Sequence, residues 1–251
     1  MRQRIKDVVY PGAALVGLAA LWEAATAVFH LPSYLLPPPS AIVRAAAENL
    51  GFLLHHLLIT LAGIAIGFTG GVLFGFVTAV IIVHSRFLGR VIYPLVILTQ
   101  SIPKITIAPV LLVWFGLGLG PKIALIVLMS FFPIVVNTVT GMTAVEPYAL
   151  DLLRSLQASR LHVFWFLRLP NALLPFFDGL KMAITMSIIG AVLAEFIGSG
   201  EGIGWLILVA KTNMDLSLSF AAIGIISLTA VVLFELIGVA QRLTVHWQEA
   251  R

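Results

Sequence analysis

The sequence predicts an all-α membrane protein of about six transmembrane helices, and three observations carry that reading. Of 251 residues, 60% are hydrophobic and 10% charged, where a soluble domain carries roughly 25% charge. Residues 57–83, 123–145 and 216–234 hold no charge at all, and each has about the 20-residue length that crosses a hydrocarbon core. The 15 lysines and arginines fall singly between apolar blocks, a mark of topology rather than of a nucleic-acid surface. With no cysteine, neither a disulfide framework nor a thiolate metal site is available.

Three further spans complete the set. Residues 8–29 include Glu23, residues 91–115 include Lys104, and residues 173–197 include Asp178, Lys181 and Glu195; each still has the length. An N-terminus inside the cell leaves Arg2, Arg4, Lys6, Arg86, Arg90, Arg154, Arg160, Arg168, Arg242 and Arg251 on the cytoplasmic side, against Arg44, Lys122 and Lys211 outside. Cytoplasmic connections retain positive charge, so both termini are expected in the cytoplasm. The basic first residues, an apolar run and Ala25-Thr26-Ala27 imitate a cleavable leader. The run is longer than a leader's core and Glu23 precedes the cleavage position, so an uncleaved first span is expected. Trp22, Trp114, Trp165, Trp205 and Trp247 fall near span ends, as an aromatic belt requires.

After the first span, Pro37-Pro38-Pro39 stops any helix and Ser40 suits an N-cap, so a short external helix is expected over residues 41–50. In the second span Gly63, Gly67, Gly71 and Gly75 recur at every fourth residue. That is the pattern of a close helix crossing, although it does not name the partner helix.

The third span is interrupted. Pro103 and Pro109 remove backbone hydrogen bonds, while Gln100, Ser101 and Lys104 put polar groups near membrane depth. Lipid tolerates neither unless protein or a water-filled path satisfies them, which makes this segment a candidate translocation path. The plainer reading is that Lys104 snorkels and the prolines only kink the helix. Asn137 and Glu195 are further path candidates, with interhelical hydrogen bonding and an interfacial carboxylate as their ordinary roles. Asp178 and Lys181, three apart, are expected to neutralise each other.

Some chemistry is missing. No Gly-Lys dipeptide occurs, so there is no G-x-x-x-x-G-K-[ST] loop to cradle a nucleotide, and no H-E-x-x-H metal motif occurs. The adjacent His55 and His56 project in different directions on a helix. Gly198-Ser199-Gly200 is common turn composition, and Glu201 fits an external loop.

The segment "DLLRSLQASRLHVFWFLRLP" from Asp151 to Pro170 stands apart. Its apolar run after Arg160 is too short to cross, and the charge count puts it on the cytoplasmic side. A helix over residues 151–159 would gather Leu152, Leu153 and Leu156 on one side, an amphipathic element that invites a partner.

At these residues the chain resembles the permease subunits of binding-protein-dependent ABC importers, whose cytoplasmic loop carries E-A-A-x3-G-x9-I-x-L-P. Asp151 takes the glutamate position, Leu152 and Leu153 the alanines, Gln157 the glycine, Leu167 the isoleucine, and Leu169-Pro170 match outright, with Arg154 inside the same motif. The acid is shorter, two side chains are bulkier and the glycine is absent, which puts the usual turn at Gln157 in question. "QSIPKITIAPVLLVWFGLGLGPK", "FFPIVVNTVTGM" and "GAVLAEFIGSGEGIGWLI" look like the sulfonate, taurine, nitrate and pyrimidine-precursor branch of that family.

The resemblance implies a type I, methionine-importer-like permease fold. It divides the chain into an N-terminal helix with its external connector (residues 1–50), a permease core (51–245) containing a coupling loop (146–170), and a cytoplasmic tail (246–251). It implies no cofactor on this chain, since ATP and magnesium would sit on two separate ATPase subunits. A second permease subunit, most simply an identical copy, and an extracytoplasmic solute-binding protein would complete the assembly in the bacterial inner membrane. The expected solute is a small organic or inorganic anion such as a sulfonate, taurine or nitrate, with a pyrimidine or thiamine precursor as the alternative. An ion-coupled secondary transporter would also use broken helices and buried ionisable groups, but the repeat symmetry common in such carriers is missing.

Overall fold

The computed structural model describes residues 2–245, and among them every regular element is helical. In chain order these are α1 (Arg2–Val28), α2 (Pro39–Glu48), α3 (Leu50–His84), α4 (Arg86–Gln100), a 3-10 turn (Lys104–Ile107), α5 (Ala108–Phe115) and α6 (Leu119–Thr143). There follow α7 (Pro147–Ser155), α8 (Arg160–Val163), a π turn (Phe164–Arg168), α9 (Leu169–Gly198), α10 (Ile203–Thr212) and α11 (Leu216–Thr244). The expected tail, with Trp247 and Arg251, lies outside the described residues.

Helix α6 is the hub, with half of its apolar window buried against 17% for α11. The glycine ladder sets its contact with α3. A methyl group on Gly67 would lie 2.6 Å from Ile126, one on Gly75 would lie 2.9 Å from Ile134, and ones on Gly63 and Gly71 would strike Lys122 and Ser130. Both helices advance four residues per contact, so α3 and α6 run parallel with backbone close to backbone. On the other flank Gly141 abuts Ala172 and Pro175 while Gly190 abuts Met129, so α9 runs antiparallel to α6. A cluster of Leu53, Ile64, Ile126, Ile188 and Ala222 joins α3, α6, α9 and α11.

Four helices, α3, α6, the α8–α9 run and α11, are long and apolar enough to cross a membrane, and a fifth crossing follows if α4 and the segment Lys104–Phe115 count as one broken span. The contact of Gly63 with Lys122 places Leu119 level with Thr60, ten residues into α3, so between His84 and Leu119 the chain returns along about 35 Å of helix. The apolar part of α1, Ala13–Val28, is shorter than these spans.

The interruption expected in the third span is present, with α4 and the segment Lys104–Phe115 meeting at 90°, because Pro103 and Pro109 cannot donate the hydrogen bonds that would carry α4 into α5. Two local expectations need correction. Helix α2 starts at Pro39 with Pro38 as its N-cap. Ser40 does not cap it, since its hydroxyl and amide donate to Glu23 at 2.6 and 2.9 Å and tie α2 to α1. Helix α7 covers Pro147–Ser155 rather than 151–159 and stops in a left-handed turn.

Candidate functional site

The residues expected to line a path fall into two groups. At the break after α4, Gln100 and Ser101 are exposed and Lys104 is half-buried. Lys104 finds no carboxylate among the described residues; its ammonium lies 4.9 Å from the centre of the buried Phe132 ring, a cation–π contact that satisfies the charge within the protein. Val113, Trp114 and Leu117 beyond the break are 72–82% exposed, so this polar break and its apolar flanks form an open face of the chain.

Asn137 donates to Pro133 O at 2.9 Å and touches Met182 Sδ at 3.8 Å, at the crossing of α6 and α9. Thr138 beside it is fully buried with its hydroxyl unpartnered. Asp178 and Lys181 do not neutralise each other: the Lys181 ammonium turns to Gln241 on α11 at 2.5 Å, because the helix places that partner nearer than its own third neighbour.

Glu195 is not on an open surface. It is 1% exposed and forms an ion pair of 2.5 Å with Lys122, itself 3% exposed. Lys122 therefore is no loop cation; it sits within α6 and donates also to Ile59 O at 3.1 Å. Thr60, fully buried, donates to Glu195 at 2.9 Å. The first amides of α10 close the cluster, with Gly202 N donating to His56 Nδ1 (3.1 Å), Ile203 N to Thr60 (2.8 Å) and Gly204 N to Glu195 (2.7 Å). These are the orphan donors of a helix start, capped here by side chains from two other helices, with the carboxylate at the positive end of the dipole. Gly202, at φ 109°, has no room for a side chain because the Glu195 carboxylate lies against its Cα. Lys122, Thr60 and His56 were missed in the sequence. The available signal was a pair of opposite charges near the same end of two adjacent spans.

The loop between α6 and α9 is built differently. Helix α7 ends with Ala158 N donating to Leu153 O and Gln157 N to Arg154 O, both at 2.9 Å, a Schellman turn. Gln157 holds φ 56° there, so the left-handed turn expected of a glycine forms with glutamine, at a cost in strain. Ser159 caps the next turn by accepting from His162 N, and the π turn carrying half-buried Leu167 leads to Leu169 and Pro170 at the start of α9. Asn171 pins the loop by donating to Gly141 O and Ala144 O at the end of α6. Tyr148, Leu152 and Leu156, spaced by four, are 87, 61 and 69% exposed, whereas Leu153 turns partly inward. The outward apolar row is thus 148, 152 and 156, not 152, 153 and 156. Asp151 and Arg154 form an exposed ion pair of 3.0 Å.

A parallel–antiparallel helical core with one broken span and one structured loop of outward apolar residues is the architecture of a membrane transport subunit. Residues 71–243 match the family described as "Binding-protein-dependent transport system inner membrane component", and the chain belongs to that family. It is 34% identical over 206 residues to a probable ABC transporter permease protein of Haemophilus influenzae, covering 82% of this chain and 84% of that one. It is 32% identical to the formylaminopyrimidine transport permease protein ThiX of Halalkalibacterium halodurans, over 98% of this chain and 99% of that one. It is 28% identical to the taurine transport system permease protein TauC of Escherichia coli, over 94% of this chain and 88% of that one. A solved amino acid ABC transporter superposes with a TM-score of 0.65 over 78% of this chain and 95% of its own, at 16% identity, which shows the shared fold. The chain is a multi-pass permease component of an ATP-driven importer, working with a separate ATPase and a solute-binding protein.

Proposed function

We propose that two copies of this chain enclose the translocation path along the broken third span, and that the solute is a small heterocycle of the pyrimidine type. The observation that carries the pairing is the open face at the break. Gln100 and Ser101 are exposed there beside freed backbone groups, and lipid cannot satisfy them; a second copy and a water-filled path can. The solute class rests on the likeness to the formylaminopyrimidine permease, which spans 98% of the chain. On this reading two ATPase subunits dock on the row Tyr148, Leu152 and Leu156, and closure of the ATPase pair rocks α6 and α9 through the loop that Asn171 pins. With α1 as a further crossing, both termini then lie in the cytoplasm.

A small anion is the second reading, favoured by Lys104, a half-buried cation with no carboxylate partner among the described residues. Uptake of labelled solutes into proteoliposomes holding the permease, its ATPase and its binding protein tests both. Uptake of a formylated aminopyrimidine but not of taurine supports the first reading, and the reverse supports the second. Under the second reading, Lys104→Met abolishes uptake while Lys104→Arg keeps it. Transport that persists without ATP and follows a proton or sodium gradient overturns both.

A further inference from the structure

At the end of the bundle that carries the α6–α9 loop, a pocket of about 730 Å³ is lined by Arg86, Arg154, Arg160, Arg168 and His84. Among the described residues only Arg154 has an acidic partner, the exposed Asp151. Four arginines line one space, and no acidic residue is among its lining residues. Such an arrangement is electrostatically costly unless an anion occupies it, and guanidinium forks match the oxygens of phosphate or of carboxylate.

An apolar groove of about 460 Å³ lies between α3 and α9, lined by Leu73 and Phe76 of α3 and Leu169, Leu173 and Phe176 of α9, with no polar lining at all. No residue lines both spaces, but the same stretches of chain carry them. Leu169 of the groove follows Arg168 of the pocket directly, and Phe76 and Val83 lie seven residues apart on one stripe of α3. Free phosphate would fill only the basic part, and an acidic protein segment would leave the groove at membrane depth empty. An anionic phospholipid fills both.

We infer that the basic pocket and the adjoining groove between α3 and α9 form a binding site for one anionic phospholipid, its phosphate among the arginines and an acyl chain along Leu73 and Leu173. The lipid would then touch α3, α9 and the loop together, steadying the surface on which the ATPase acts. Basic pockets between membrane helices are known to take such headgroups. This inference rests on family membership and not on the solute reading.

The test uses the full-length chain purified without its ATPase, delipidated, exchanged into phosphatidylglycerol or phosphatidylcholine, and read by native mass spectrometry. One phosphatidylglycerol is expected to stay bound where phosphatidylcholine leaves, and millimolar inorganic phosphate should not displace it. The double variant Arg86→Gln with Arg168→Gln should weaken retention by about fivefold for each arginine lost. Arg86→Lys with Arg168→Lys should keep most of it, which separates charge loss from misfolding. Leu73→Ser, on an exposed wall of the groove, should weaken it with the arginines intact. Equal retention of both lipids, displacement by inorganic phosphate, or full retention by the glutamine variant overturns the site. If the glutamine variant keeps its lipid but no longer copurifies with the ATPase, the arginines belong to an acidic ATPase surface instead.

Discussion

Lys122–Glu195 and Arg154–Asp151 are ion pairs of similar chemistry in opposite settings. Lys122 and Glu195 are 3% and 0% exposed in their side chains; Arg154 and Asp151 are 62% and 69% exposed. The first pair is locked by Thr60, Ile59 and the amide of Gly204, and it joins α3, α6, α9 and α10. The second spans three residues of one short helix. Burial makes the first pair indispensable to the helices around it, because each charge has given up its water and depends on the other. The second pair keeps its water and holds nothing together. One end of the bundle is therefore closed by its own chain, while the other leaves its loop of outward apolar residues uncovered.

Breaking the closed end should give the largest effect. Glu195→Ala leaves Lys122 buried without its counter-charge and strands the amide of Gly204 and the hydroxyl of Thr60. A loss of about 3–5 kcal/mol is expected, seen as reduced folded yield and early thermal unfolding in detergent. The paired variant Lys122→Met with Glu195→Met removes both charges and should recover a large part of that loss. If the single variant unfolds no earlier than the parent chain, the cluster is not a fastening.

The open end should respond in function and not in folding. Leu152→Asp places a carboxylate on the outward row beside Tyr148 and Leu156, where the free chain leaves it in water. Thermal unfolding of the permease alone should not change. Docking on the ATPase should weaken by at least about 100-fold, since the carboxylate is then buried unpaired, and solute-stimulated ATP hydrolysis should vanish. Leu153→Asp is expected to do the reverse, lowering stability first, because that side chain turns inward. Unchanged docking by Leu152→Asp would move the interface elsewhere.

A smaller effect separates turn geometry from turn chemistry. Gln157 holds φ 56° in a Schellman turn, a conformation glycine adopts without strain. Gln157→Gly should therefore be neutral to stabilising by up to about 1 kcal/mol, since relief of strain outweighs the added freedom of the unfolded chain. Gln157→Val, which tolerates that conformation poorly, should lower ATPase docking by disordering the end of α7.

Sequence patterning reached these two ends unequally. The loop was legible because its information is local: the spacing from Asp151 to Pro170 and the short apolar run lie within 20 residues, although the stop of α7 at Ser155 was not foreseen. The broken span was legible for the same reason, since Pro103 and Pro109 act on their own backbone. The 90° angle was not, because the prolines end the hydrogen-bond ladder without fixing the direction in which the chain leaves. The glycine ladder announced a close crossing, yet only the packing of Gly67 on Ile126 identifies α6 as its partner. The Lys122–Glu195 cluster was the least legible. Each residue alone looks like a charge at a span end, and nothing local indicates that α3 supplies Thr60 and His56 or that α10 and its N-cap Gly202 supply three amides. Leu153 was misplaced by assuming a helix through residue 159, which rotated the outward row by one position.

The smallest effect is also the sharpest test of the contrast. A double-mutant cycle on Asp151→Asn and Arg154→Gln, read by unfolding of the isolated permease, should return a coupling of about 0.2–0.5 kcal/mol, the worth of an exposed pair three residues apart on a helix. High salt should erase it. The same cycle, read by ATPase affinity in the assembled transporter, measures the pair after a partner has covered α7 and expelled its water. Coupling should then rise to above 1 kcal/mol, because the same two charges attract more strongly in a less polar surrounding. A rise locates the ATPase over Asp151 and Arg154. Equal coupling in the two settings means the pair stays wet throughout, and the contact must then be confined to the row of Tyr148, Leu152 and Leu156.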